Sequence, residues 1–346
     1  MSSEPRGGTP PVDADDPREA QADDPPRPPG RLPDFFIAGH QKCGTTALYL
    51  MLGAHPQIFL PAVKEPRFFA TDLRSTRARS RPPGQSRTLE QYAALFAPAA
   101  PGQVAGEASP VYLRSRAAPA AIAEVVPGAK IIAILREPAS FLRSFHLQMV
   151  SSGVESERDF AKALALEPER RRGRHIPRGS RNPASLMYSE HVRYAEQLRR
   201  FHDHFPAEQV LVLIYEEFRA DNQATLQTVL RFLEVDPDQP LAQVDTRPVK
   251  AVRSGLLHRV TAEMRRARKN QAGAGRLARA ADAALPERLR PPAVRAGWRR
   301  LVYAPPKPAD PELMLELRRR FEPEVRAAGD YLGRDLVSLW GYEDID

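Results

Sequence analysis

With 346 residues, 42% hydrophobic and 27% charged, the chain has the make-up of a folded protein with one large core or two modest ones. Its single cysteine, Cys43, excludes an internal disulfide framework, a thiol zinc cluster and an iron–sulfur cluster. No apolar run approaches the ~18–20 residues of a membrane span, and the first thirty residues lack the apolar core of a secretory signal, so a cytoplasmic protein is expected. The basic surplus of 8 is regional: residues 1–33 carry a net −3, whereas residues 247–300 carry fifteen Lys and Arg against Glu263, Asp282 and Glu287. Such a stretch serves nucleic acid, a membrane surface or an anionic substrate, or merely solvates helix faces.

Residues 1–33 hold nine prolines and almost no large apolar side chain before Leu32. That composition buries too little apolar area to offset its conformational entropy, so it reads as a disordered tail ahead of one domain at 34–346. Phe35, Phe36, Ile37 and Ala38 form a buried-strand pattern running into Gly39. Residues 45–54 (TTALYLMLGA) then read as a helix, capped by Thr45 and stopped by Gly53 and Pro56. A weak strand follows at 103–106, and strong ones at 130–135 (KIIAIL) and 210–215 (VLVLIY), continuous apolar runs suited to a parallel sheet covered on both faces. Helices are predicted between them at 117–126, 140–151, 189–204 and 224–233, and a long amphipathic helix with a shorter element spans 311–340. The alternation predicts an α/β fold: a P-loop-like parallel sheet flanked by helices on both faces, in a single domain. Residues 71–88 and 166–185 read as long surface loops, where binding elements collect.

The first turn reads Gly39-His40-Gln41-Lys42-Cys43-Gly44-Thr45-Thr46. Its two glycines, set between a strand and a helix, have phosphate-loop spacing, because successive backbone N–H groups and the positive helix end make a seat for a phosphate. In nucleotide triphosphatases a lysine directly follows the second glycine; here Thr45 stands there and Lys42 lies inside the loop. A lysine so placed reaches the bridging side of a bound diester rather than the far end of a triphosphate. The strand ending at Leu135 runs into Arg136, where a magnesium-holding aspartate would be expected, which argues against a magnesium-dependent kinase or ATPase. Arg136 itself lies just past the carboxyl end of a strand, where open α/β sheets bind ligands, and its fork matches phosphate oxygens.

These residues resemble a known family. Gln41, Lys42, Cys43, Gly44, Thr45 and Thr46 are similar to the 5′-phosphosulfate-binding loop of sulfotransferases that use 3′-phosphoadenosine 5′-phosphosulfate (PAPS), of the heparan-sulfate type and its bacterial relatives. The run from Lys130 to Pro138, with Ser144 eight residues beyond Arg136, is similar to the family's second signature, and implies that Arg136 and Ser144 hold the nucleotide's 3′-phosphate. Lys64-Glu65-Pro66-Arg67-Phe68-Phe69 resembles a Lys-Glu-x-His-Phe-Phe motif whose glutamate is the general base. By position that is Glu65, and Arg67 stands for the histidine, a departure that favours an anionic acceptor. Weaker similarities at 106–110, 215–217 and 335–340 extend the match over residues 34–341, and Arg253 resembles a late basic residue that closes over the nucleotide.

The resemblance implies a metal-independent sulfotransferase moving the sulfuryl group of PAPS, by in-line displacement, to a hydroxyl of a carbohydrate, glycolipid or small natural product, with an amine as second choice. Glu65 would take the acceptor's proton, Lys42 would stabilise the leaving oxygen, and 3′-phosphoadenosine 5′-phosphate would remain. Neither a metal nor a nucleic-acid partner is expected. Two other readings stay open: a P-loop kinase using ATP, which needs magnesium ligands, and a non-enzymatic nucleic-acid-binding protein using residues 247–300. His146 reads as partly buried, His202 and His204 as a poor metal pair, and Cys43 as a small side chain tolerated near a phosphate. The acceptor pocket is expected from the loops at 70–90 and 150–185.

Overall fold

A computed structural model describes residues 30–74, 86, 88–177, 180, 182–239, 251–252, 303–304 and 308–345. Its core is a five-stranded parallel sheet in which β1 (Phe35–Ile37) is central. On one side lie β3 (Val104–Ala108) and then the edge strand β2 (Ile58–Phe59); on the other lie β4 (Lys130–Leu135) and β5 (Val210–Ile214). Phe35 stands opposite Gly106 and Lys130, and Leu135 opposite Ile214. All three residues of β1 are fully buried, as its unbroken apolar run predicts. Gly106 is needed for this pairing, since a Cβ there would meet a ring carbon of Phe35 at 2.2 Å.

Eleven described helices surround the sheet. They are α1 (Thr45–Leu52), α2 (Leu89–Ala93), α3 (Ala118–Val125), α4 (Pro138–Ser152), α5 (Phe160–Ala165) and α6 (Glu167–Arg171), followed by α7 (Tyr194–His202), α8 (Tyr215–Ala220) and α9 (Asn222–Phe232), and finally α10 (Pro311–Leu332) and α11 (Leu336–Trp340). Amphipathic α10 buries Leu317, Phe321, Val325 and Ala328 and packs against α4, α7 and α11. No described helix is long and apolar enough to cross a membrane.

The differences from the sequence reading have local causes. The cap of α1 is Gly44 rather than Thr45: the chain enters the helix through a left-handed residue (φ 87°), and Thr45 is already helical. Helix α4 starts earlier than residue 140, because Pro138 suits the first turn and the Glu137 carboxylate accepts from the N–H groups of Ala139 (2.9 Å) and Ser140 (2.7 Å). Residues 166–185 are not one loop, since α6 and a 3₁₀ turn at Pro183–Leu186 occupy them. A further 3₁₀ turn at Tyr188–His191 shortens the helix expected from 189. Order also precedes Asp34: Pro33 is buried, and Arg31 reaches Asp34 at 2.9 Å and the carbonyl of Gln103. Residues 1–29, positions 75–85 and 87 of the expected 71–88 loop, and the basic stretch 247–300 apart from 251–252 lie outside the described residues.

Candidate active site

The strand order reverses at β1, so the loops after β1 and β4 leave the sheet side by side and open a crevice beyond the carboxyl ends of the strands. The phosphate-type loop at first stays tied to β4: the His40 N–H donates to Ile134 O (2.9 Å) and the Ile134 N–H to Gly39 O (3.0 Å). It then curls through two left-handed residues, Lys42 (φ 65°) and Gly44 (φ 87°). For a lysine this conformation costs about 1–3 kcal/mol and persists only where the surroundings enforce it. Gly44 has no room for a side chain either, since a Cβ would meet Phe218 at 2.9 Å. Cys43 is buried, and burial pushes its thiol well above the ordinary cysteine range, which keeps it protonated and inert.

Arg136 grips this loop from β4. Its Nη1 donates to Lys42 O at 3.0 Å, its guanidinium lies 4.5 Å from the centre of the Tyr215 ring, and its own carbonyl accepts from Tyr194 Oη at 2.8 Å. Its Nε is buried without a hydrogen-bond partner among the described residues. Burial and the neighbouring Arg136 charge both lower the pKa of Lys42. Neither cation has an ion-pair partner among the described residues, so the crevice holds two adjacent positive charges ready for an anion. Ser144 lies on α4, in the helix that opens directly after Arg136, and is 8% exposed.

The Glu65 segment is pinned to the end of β3. The Glu65 N–H donates to Ala108 O (3.1 Å) and the Arg67 N–H to Ser109 Oγ (3.0 Å). Both residues are left-handed, at φ 57° and 55°. Thus three of the five described non-glycine residues with positive φ fall in the two segments singled out by sequence. Arg67 and, at 3.5 Å, Lys64 pair with the Glu65 carboxylate. Phe68 and Phe69 anchor the segment on Tyr92, with ring centres 4.7 and 5.3 Å away.

Beneath lies Glu107, which sequence reasoning reaches only within the weak similarity at 106–110 and gives no role. It is fully buried in β3 and accepts from Tyr92 Oη (2.7 Å), Tyr112 Oη (2.7 Å) and Ser109 Oγ (2.6 Å). Burial pushes its carboxyl up to about 7, and the charge of Glu65 adds to the rise. Beyond that similarity its signal is an acid set among small residues in a strand, which lowers the apolar pattern instead of advertising a site. Glu216, just after β5, is a second such residue: it accepts from Trp340 Nε1 (2.9 Å) and the Glu137 N–H (3.4 Å), tying α11 to the crevice.

The remaining candidates divide cleanly. His40 in the loop is buried, its Nε2 is 2.6 Å from Gln197 Oε1, and burial brings its pKa down to about 4, which leaves a neutral ring. His146 is held by Tyr188 Oη (3.0 Å) and Arg158 O (3.2 Å), and His202 by Tyr331 Oη (2.6 Å), both structural roles. Arg253 lies outside the described residues. Among the described residues no cluster of three or more metal-ligating side chains occurs.

The profile of the sulfotransferase family matches residues 33–239, more than half of the chain and every segment described above except α10 and α11. The chain belongs to the sulfotransferase family. The human bifunctional heparan sulfate N-deacetylase/N-sulfotransferase 3 is 30% identical over 221 residues, which are 60% of this chain and 23% of that protein. Human heparan sulfate glucosamine 3-O-sulfotransferase 5 is 26% identical over 209 residues, 60% of this chain and 55% of that one. The chain therefore spans less than a quarter of the length of the bifunctional relative. Among solved structures, a sulfotransferase from Alicyclobacillus acidocaldarius matches with a TM-score of 0.62 at 25% identity, covering 90% of this chain and 99% of the other. The sulfotransferase fold thus extends beyond the profile into the C-terminal helices.

Proposed function

We propose that this protein transfers the sulfuryl group of PAPS to a hydroxyl of a carbohydrate, glycolipid or small natural product. The observation that carries the reading is the Arg136–Lys42 contact, which brings together, at the switch point of the sheet, two cations without carboxylate partners among the described residues. On this reading residues 41–46 surround the 5′-phosphosulfate, and Arg136 with Ser144 takes the 3′-phosphate. The buried, unpartnered Nε of Arg136 is a donor awaiting an acceptor, which fits that group.

PAPS, when bound, supplies an electrophilic sulfur and a phosphate leaving group. Lys42 offsets the negative charge that grows on the bridging oxygen, and its lowered pKa marks a site short of water. Glu65 accepts the proton of the acceptor hydroxyl, and its clamp by Lys64 and Arg67 fixes the direction in which it does so. A second reading, transfer to an amine, is favoured by the N-sulfotransferase name of the 30% identical relative; the same two residues serve it.

The test is a thermal-shift comparison of 3′-phosphoadenosine 5′-phosphate with adenosine 5′-phosphate and ATP, with and without magnesium. The first should stabilise the chain by about 2.7 kcal/mol at a hundred times its Kd, without magnesium. A larger, magnesium-dependent response to ATP would overturn the reading in favour of a kinase.

A further inference from the structure

A cavity of about 290 Å³ is lined by Arg114, Arg116, Arg171, Arg193 and Arg200. Its walls include Asp72 and Leu73, which follow the Glu65 segment, and Ala184 and Met187, from the region after α6. Gln197, another wall residue, is the partner of His40 two positions before Lys42. Arg114 and Arg200 are close enough to His40 for their charges to help hold its ring neutral. The cavity is therefore linked to the loop through the Gln197–His40 hydrogen bond, and takes two of its walls from the chain that follows the Glu65 segment.

Three carboxylates share the cavity, and all are taken. Asp72 accepts from Ser115 Oγ (2.5 Å) and the backbone N–H of Arg116 (2.9 Å). Glu190 pairs with Arg171 (2.8 Å), and Glu196 with Arg193 (2.7 Å) and Arg200 (3.1 Å). Two guanidinium groups remain without a carboxylate in contact among the described residues. Arg114 donates there only to the carbonyl of Ala184 (3.1 Å), and the exposed Arg116 side chain has no hydrogen bond or ion pair among the described residues. Arg200 adds a buried Nε with no partner among them. Burial, opposed by Asp72 and Glu190 and aided by Arg200, brings Arg114 down to about 10. Asp72 and Glu190 thus offset the half-buried Arg114 charge only in part, and an incoming anion adds to that compensation.

We propose that this cavity seats a carboxylate or sulfate group of the acceptor, with Arg114 and Arg116 receiving it. Guanidinium forks match both anions in geometry, and the two-charge excess selects acceptors that carry negative charge near the reacting hydroxyl. The inference rests on the sulfuryl-transfer reading above and narrows its substrate class.

The test uses the full chain, with and without saturating 3′-phosphoadenosine 5′-phosphate. Binding of 4-nitrophenyl β-glucuronide, the 6-O-sulfated glucoside and the neutral glucoside is measured by titration calorimetry at low salt. At least one anionic glycoside should bind tenfold or more tightly than the neutral one. Arg116→Glu should erase that preference, Arg116→Lys should keep most of it, and the nucleotide's thermal shift should be the same in both variants. Equal affinity for all three glycosides, binding of none, or a preference surviving Arg116→Glu would overturn the inference. A nucleotide response without any anionic preference sinks the cavity alone, whereas a preference without a nucleotide response sinks the sulfuryl-transfer reading.

Discussion

Lys42 is held in a left-handed conformation, and its carbonyl is spoken for by Arg136 at 3.0 Å. A fold that retains a strained lysine where glycine would be free gains something from the side chain, because the strain itself only destabilises. Lys42→Ala keeps the same backbone problem and removes the ammonium, so it isolates the charge. On the proposed chemistry, kcat for sulfuryl release should fall about a hundred- to a thousandfold, the loss typical of deleting one transition-state donor. The thermal response to 3′-phosphoadenosine 5′-phosphate should shrink but persist, since Arg136 and the loop N–H groups remain. Turnover near the wild-type rate would remove Lys42 from the chemistry. The lysine is legible in sequence, but its strain is not, since left-handed φ for a non-glycine residue has no compositional mark.

At the scale of elements, legibility follows burial. Strands β4 and β5 are unbroken apolar runs and can be read directly, as can the strand–loop–helix unit of β1 and α1. Strand β3 looks short and weak in sequence because Glu107 interrupts it; three hydroxyl donors satisfy that acid and let the strand continue to Ala108. Strand β2 has only two residues and draws its identity from pairing with β3, which no local pattern records. The glycine-flanked loop and Arg136 can be found from sequence position, whereas the arginine cavity draws on segments from Asp72 to Arg200 and needs the fold to assemble it. Helix α11 belongs to the same class of long-range effects. Its Trp340 donates to Glu216 at 2.9 Å and packs near Tyr194, whose hydroxyl holds the Arg136 carbonyl. Tyr342, just beyond, donates to Glu137 at 2.6 Å. Trp340→Ala should therefore cost about 3–5 kcal/mol in urea unfolding, as large-to-small changes at buried aromatic sites do. It should also weaken nucleotide binding, because the cap and neighbours of Arg136 lose their support. A loss below about 1 kcal/mol, far short of a buried aromatic truncation, would show that α11 is only an appendage.

For the whole molecule, buried ionisable groups set opposing pH limbs. His40, His146 and His191 all sit below the ordinary histidine range, chiefly through burial, with His40 down to about 4. Their stabilising contribution is complete above the unfolded value of about 6.5 and is lost as pH falls toward the folded values, so acid unfolds the protein through them. Glu107 works in the other direction. Its neighbours are the hydroxyls of Tyr92, Tyr112 and Ser109 together with the charge of Glu65, and its folded pKa of about 7 exceeds the ordinary 4.5. The folded state therefore binds the extra proton between those values, and the contribution of Glu107 is full below 4.5 and lost as pH rises through 7. Glu107→Gln keeps an amide oxygen for the two tyrosines and carries no titrating group, so it separates this limb from the histidine limb. Comparing urea unfolding at about pH 5 and about pH 8, the stability of the variant relative to wild type should improve by about 2–3 kcal/mol at the higher pH, since each tenfold change in proton affinity is worth about 1.36 kcal/mol. The histidine contribution is common to both proteins and cancels in that difference. An unchanged difference across the two conditions would mean that Glu107 is ionised throughout, and the hydroxyl cage would then be holding a carboxylate rather than sharing a proton with it.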